Sequence, residues 1–282
     1  MPKVALITDS TVTIPPALLA QYDIKIAPQF IIWDADNLQD TVDIQAAEFY
    51  RRLSTSRTMP TTSQASPAKF HELYKNALDQ GQEVLALVIS SKLSGTYQSA
   101  IQARAMFPGA PIEVVDTLST SMAMGFVVLE IARAIEKGAN LAECNELVRR
   151  LLPNIGVNFV VDTLKYLHMG GRIGGAARFV GTALDLKPVL ELRDGRIEPI
   201  ERVRTRRKAL DRLIDIVEQR ISDRTPVRLS VLHANVPEDA SSVMKLVQER
   251  FEPVECILAE LSPAIGTHTG PGTLGIAYLA GT

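Results

Sequence analysis

The sequence predicts an α/β protein of two domains, an N-terminal Rossmann-like parallel sheet over residues 1–155 and a C-terminal α/β domain with a mixed sheet over residues 156–282. Three observations predict it. Short apolar runs that read as buried strands alternate with helical spacing through the first half, the rhythm of βαβ units. Beyond about residue 155 the pattern changes to a strand, a glycine-rich helical stretch and two β-like runs joined by Asp194-Gly195, a hairpin signal. A length of 282 residues is enough for two ordinary domains with a cleft between them.

The elements follow in order. Strands are read at residues 4–7, 24–26, 84–89 and 112–115, with helices over 15–21, 67–80 and 96–106. Two of those helices begin beside a proline, which tolerates the first turn because its missing N–H has no partner there. A helix over 121–137 stopped by Gly138 and another over 141–152 stopped by Pro153 close the first half. The second half reads as a strand at 158–161, β-like runs at 189–192 and 197–202, a helix over 205–220, a strand at 227–233, a helix over 237–250, and strands around Cys256 and Ile276.

Composition removes several function classes. Lys+Arg number 30 against 32 Asp+Glu, a net charge of -2, so no global field gathers nucleic acid or an anionic membrane. A small or neutral ligand is expected instead. No run approaches the roughly 20 apolar residues of a membrane span. The start lacks a signal-peptide pattern, and Cys144 and Cys256 have neither metal nor CxxC spacing, so a cytoplasmic location is expected.

Hydroxyl-bearing loops are the richest chemical feature. Thr8-Asp9-Ser10-Thr11, Thr61-Thr62-Ser63-Gln64 and Ser90 to Thr96 are read at the carboxyl ends of strands, where open parallel sheets bind ligands. Such loops offer free N–H groups and a hydroxyl to an anion, or they cap helices. Near the end, His268 lies in Gly266-Thr267-His268-Thr269-Gly270-Pro271-Gly272; too little chain follows for the βαβ unit that a dinucleotide needs. Gly170-Gly171-Arg172 fails the P-loop spacing, leaving Arg172 to contact an anion or tie the domains together. The segment from Arg202 through Arg204 and Arg206 to Lys208 is either a solvated helix start or a docking surface, and no aromatic interleaves with it to stack bases. HExxH, GxSxG and clustered metal ligands are absent, so no catalytic and no metal-binding residue is assigned and no cofactor is expected.

In this order the motifs resemble the DegV family, over essentially the whole chain: Ile7-Thr8-Asp9-Ser10-Thr11, Thr61-Thr62-Ser63-Gln64-Ala65-Ser66-Pro67, Ser90-Ser91-Lys92-Leu93-Ser94-Gly95-Thr96, Asp162-Thr163-Leu164 leading into Gly170-Gly171-Arg172, Lys187-Pro188, and His268-Thr269-Gly270-Pro271-Gly272. The resemblance implies a fatty-acid-binding carrier rather than an enzyme, with one long acyl chain in an inter-domain tunnel and its carboxylate presented to a separate fatty acid kinase subunit. Carried over by position, it implies Thr62, Ser94 and His268 at the carboxylate, with Ser63, Gly95, Thr96 and Arg172 around it, and Arg202, Arg204 and Arg206 toward the kinase. Two departures from the family pattern occur. Ala65 stands where a proline is usual, which would loosen the carboxylate loop, and His168-Met169 precede the glycine pair where a lysine is commoner, which would alter docking. The competing readings are a Ser-dependent acyl hydrolase or other small-anion-binding enzyme using Ser94 with His268, and a nucleic-acid-binding regulator acting through the basic segment.

Overall fold

The structure, a computed structural model, describes residues 3–180 and 186–282. The first half runs β1 (Val4–Asp9), α1 (Pro16–Gln21), β2 (Lys25–Ala27), β3 (Phe30–Trp33), β4 (Asp36–Gln39), α2 (Ala46–Thr55), β5 (Thr61–Ser63), α3 (Pro67–Asp79), β6 (Glu83–Val88), α4 (Thr96–Arg104), β7 (Ile112–Asp116), α5 (Ser121–Glu136) and α6 (Leu141–Leu151). The second runs β8 (Ile155–Val160), α7 (Lys165–Met169), β9 (Lys187–Arg193), β10 (Arg196–Val203), α8 (Arg206–Ile221), β11 (Val227–His233), α9 (Pro237–Phe251), β12 (Glu255–Glu260), α10 (Pro263–Thr269) and β13 (Leu274–Ala280).

The predicted α/β class is what the chain adopts. Strands β2-β1-β6-β7 form an all-parallel sheet. Its side chains alternate between two cores: Ala5, Ile7, Val84 and Ala86 face α3 and α4, whereas Leu6, Leu85 and Leu87 face the side of α5 and α6. The C-terminal sheet, β10-β9-β8-β13-β11-β12, is mixed: β11 and β12 run parallel and the other pairs antiparallel. Asp194 and Gly195, both at positive φ, make the tight turn between β9 and β10 that their sequence announced. Helices α8 and α9 cover this sheet's outer face.

α5 explains why the two sheets share one core. From Met122 to Leu129 every residue is buried, so the helix has no polar face to turn to water. It packs on β1 and β6 on one side and on β8, β11 and β13 on the other. Arg133 near its end pairs with Glu255 of β12 at 2.7 Å, and Glu130 meets Arg228 of β11 at 3.1 Å, tying the sheets together at their shared edge.

Three features differ from expectation. β4-β3-β5 form a small antiparallel sheet, so Thr61–Ser63 is a strand of its own and not a loop at the end of a parallel strand. α2 was not anticipated, although Phe49, Tyr50 and Leu53 put a buried stripe on it. His268, expected between glycine turns, lies in α10, which starts at a proline and is capped by Ser262 accepting from the Ile265 N–H. Short strands of Thr and Ser and a glycine-bearing helix carry weak local signals, and tertiary packing outweighs them.

Candidate ligand-binding site

A cleft lies between the C-terminal edge of the parallel sheet and the inner face of the mixed sheet. It holds about 850 Å³ of space free of protein atoms, open solvent at its mouth included. Its walls are largely apolar: Val157 and Phe159 of β8, Leu192 of β9, Leu232 of β11, and Leu261 and Ile265 beside and on α10. The period-2 alternation of β8 places Val157 and Phe159 on the cleft side and Val160 in the outer core.

One end of the cleft is polar. Thr62, from β5, shares a 2.7 Å hydrogen bond with His268 Nε2, joining residues 206 positions apart. Ser94 Oγ lies 2.9 Å from Thr96 Oγ1. Thr62, Ser94, His268 and Arg172 all line the cleft. Arg172 gives Nε to the Leu93 carbonyl at 2.9 Å and Nη1 to the Gly170 carbonyl at 2.7 Å, so much of its donor capacity goes to holding the Ser94 loop. Ser63, Gly95 and Thr96 do not line the cleft. Ser63 points to the opposite side of β5 from Thr62, Gly95 opens α4, and buried Thr96 stands behind Ser94.

His268 is a neutral imidazole here. Burial, aided by the Arg172 guanidinium, pushes its pKa down to about 4, so an imidazolium is not the resting donor to an anion. Its Nδ1 is buried with no protein partner, and Gly170 stands so close to that atom that any side chain there would collide with the ring. The Ser94–His268 pairing that a serine hydrolase needs is not formed. Ser94 binds Thr96, His268 binds Thr62, and no carboxylate orients the ring.

Sequence reasoning missed Gln29, which lines the cleft together with Thr11 of the first hydroxyl loop. Gln29 is 4% exposed and follows β2, at the carboxyl end of a parallel strand, which is where a ligand site is expected. It sits on the same face of β3 as Ile31, which pairs with Thr62, so the amide stands beside the polar cluster. Beneath them Asp9 is wholly buried, accepting from Thr11 N at 3.0 Å, Thr11 Oγ1 at 2.6 Å and Ile89 N at 2.7 Å, which staples β1 to β6. Asp40, also wholly buried, accepts from Ser10 Oγ at 2.6 Å and from the Ala264 N–H at 3.1 Å. That second bond clamps the first turn of α10, and with it His268, onto the N-terminal half.

The basic segment divides. Arg206 bonds Asp239 at 2.6 Å, Asp162 at 3.0 Å and the Gly272 carbonyl at 2.7 Å, making it an internal tie rather than the free docking charge expected from sequence. Arg204 is exposed, and exposed Arg202 lies over the Phe179 ring at 4.8 Å. Among the described residues no group of His, Cys, Asp and Glu is arranged to hold a metal, and no helix is long and apolar enough to cross a membrane.

Comparison with known proteins agrees with this architecture throughout. The family model described as an uncharacterised protein, DegV family, matches residues 3–281. A DegV domain-containing protein of Caldanaerobacter subterraneus is 34% identical over 278 residues, 99% of each chain. Among solved structures, a DegV family protein from Thermus thermophilus, described by its fatty acid binding, superposes with a TM-score of 0.93 at 34% identity over 99% of each chain. A stearic-acid-binding protein from Eubacterium ventriosum superposes with a TM-score of 0.91 at 25% identity, over 99% of this chain and 98% of its own.

Proposed function

This chain belongs to the DegV family, and from that footing we propose that it binds one long-chain fatty acid in the inter-sheet cleft, with the carboxylate on Thr62, Ser94 and His268 and residues 1–155 and 156–282 as the two walls. The observation that carries the reading is an apolar cleft ending in neutral hydrogen-bonding groups. Each buried methylene contributes about 0.8 kcal/mol, so an acyl chain of about 14 to 18 carbons supplies on the order of 10 kcal/mol. The polar end is needed for a different reason: an unpaired buried carboxylate is very costly, and hydroxyls, the Gln29 amide and an imidazole N–H offset that cost. Native mass spectrometry of the purified protein, followed by solvent extraction, tests this. One fatty acid per chain is expected, and protein that is empty and takes up no added fatty acid would end the proposal.

The finer step, presentation of the carboxylate to a separate ATP-binding kinase in the cytoplasm, rests on the resemblance and on the character of the donors. Neutral groups hold the carboxylate while leaving an oxygen nucleophilic toward a phosphoryl donor. Of the three arginines expected at the docking face, Arg202 and Arg204 are exposed, whereas Arg206 is already engaged. Loaded protein with Mg-ATP is expected to form no acyl phosphate until an acyl kinase subunit is added, and Arg202→Ala/Arg204→Ala to slow that reaction without weakening lipid binding. Acyl phosphate made by this protein alone would sink the carrier role.

A further inference from the structure

Two wholly buried acids stand behind the polar end of the cleft, and every donor that reaches them is neutral. Asp40, which follows β4, accepts from Ser10 Oγ and the Ala264 N–H. Asp9, at the end of β1, accepts from Thr11, from the Ile89 N–H and, at 3.5 Å, from Gln29 Nε2. The titratable groups on the elements packed around Asp40 supply no free cation. Glu260 of β12 is acidic, Tyr50 of α2 keeps its proton because burial raises its pKa, and His268 of α10 is a neutral imidazole. The other charges of α2, Glu48, Arg51 and Arg52, pair with one another or with Asp36, and Asp43 in the turn after β4 is exposed.

The acids are tied to residues that line the cleft. Ala264, whose N–H Asp40 holds, lies one turn before His268 on the same face of α10, and both are in the wall. Gln29, also in the wall, gives its N–H to Ser10 Oγ at 3.1 Å and takes the Asp40 N–H on its carbonyl at 2.9 Å. Ser10 accepts in the first of these bonds and spends its one proton on Asp40. A ligand carboxylate on Thr62 and His268 therefore brings a third acid to a desolvated region, where Arg172 already gives Nε and Nη1 to carbonyls. Like charges that share such a region do not all stay ionised, and the least costly response is for one of them to take a proton. Burial raises both Asp9 and Asp40, and it holds Asp40 at about 7, where neutral pH decides its charge.

We propose that Asp40 is a positioning residue for the ligand carboxylate and that binding draws a proton onto it, so that the protein with neutral Asp40 takes up the fatty-acid anion and ionised Asp40 weakens its hold. The inference rests on the fatty-acid reading above and adds a proton from solvent as a second ligand. Its sign follows from linkage: where binding takes up a proton, affinity falls as pH rises through the pKa of the free protein.

The test is calorimetric titration of dodecanoic acid into wild type and Asp40→Asn, in two buffers of different ionisation enthalpy so that protons taken up are counted. The ligand carboxyl, ordinarily near 4 to 5, is ionised across the range from about pH 6.5 to about pH 8.5. Wild type is expected to bind about tenfold less tightly at the upper end than at the lower, and to take up about half a proton or more near pH 7.5. Asp40→Asn, whose amide stands in for the neutral acid, should bind equally well at both ends and take up none. Ser10→Ala removes a donor that favours ionised Asp40, so its affinity should fall at a higher pH than that of wild type; this variant serves should the asparagine protein not fold. Wild-type affinity that is the same at both ends, or proton uptake that persists in Asp40→Asn and so belongs to His268 or the ligand, overturns this inference and spares the fatty-acid reading. A protein that binds no fatty acid at either pH overturns both.

Discussion

Alanine at both Thr62 and Ser94 is expected to lower fatty-acid affinity by about two orders of magnitude or more while the protein stays folded. Each hydroxyl stands at the polar end of the cleft, and each hydrogen bond to a charged group contributes roughly 1.5–3 kcal/mol, so the loss of two is not absorbed by the acyl chain's burial. Both side chains are only partly buried and removing them opens little space, so the thermal transition should move far less than the affinity. Fluorescent fatty-acid displacement read beside circular dichroism separates the two. Near wild-type affinity in the folded double variant would mean that the carboxylate rests elsewhere, with Gln29 and Thr11 the next candidates.

The second large effect concerns Asp40 and is a stability effect. Burial, reinforced by the negative charge of Asp9, pushes its carboxyl from 3.8 up to about 7 against the opposing hydrogen bonds of Ser10, Ala264 and Ser262. The folded state therefore holds a proton that the unfolded chain releases above about pH 4. Asp40's contribution to stability is fully present below that pH and is lost as pH rises through about 7, a difference on the order of 4 kcal/mol. His268 works in the opposite sense: its lowered pKa costs stability as pH falls from about 6.5 toward about 4. Comparing wild type with Asp40→Asn by urea denaturation at about pH 4 and about pH 8 cancels the histidine and every other group common to both. The stability difference is expected to move toward the asparagine variant by a few kcal/mol on going from acid to alkaline pH. A difference that does not change with pH would show that burial leaves the Asp40 pKa where it stands in the unfolded chain.

Much of the architecture was legible because local and tertiary preferences coincide. The run Val227-Arg228-Leu229-Ser230-Val231-Leu232-His233 is a strand over those seven residues, and the helices at 121–136 and 206–221 begin and end within a residue of their expected bounds. The small antiparallel sheet was not legible. β4 reads Asp-Asn-Leu-Gln and β5 Thr-Thr-Ser, compositions that suit a turn as well as a strand, and only pairing with Phe30–Trp33 decides between them. Thr62, Ser94 and His268 were reached through family motifs. Gln29 was overlooked despite following a parallel strand, because Ala27-Pro28-Gln29 carries no hydroxyl or glycine to mark it as a binding loop.

By itself the sequence determined the α/β class, the order of most of the elements, the lack of an overall charge field and the hydroxyl residues available to an anion. These depend on spacing and composition, which act over a few residues. The tertiary structure alone decided that Thr62 and His268 share a hydrogen bond, that the imidazole is neutral, and that Arg206 is an internal tie. Each of these depends on burial and on partners far away in the chain, and desolvation and hydrogen-bond satisfaction exist only once distant segments have closed around a group.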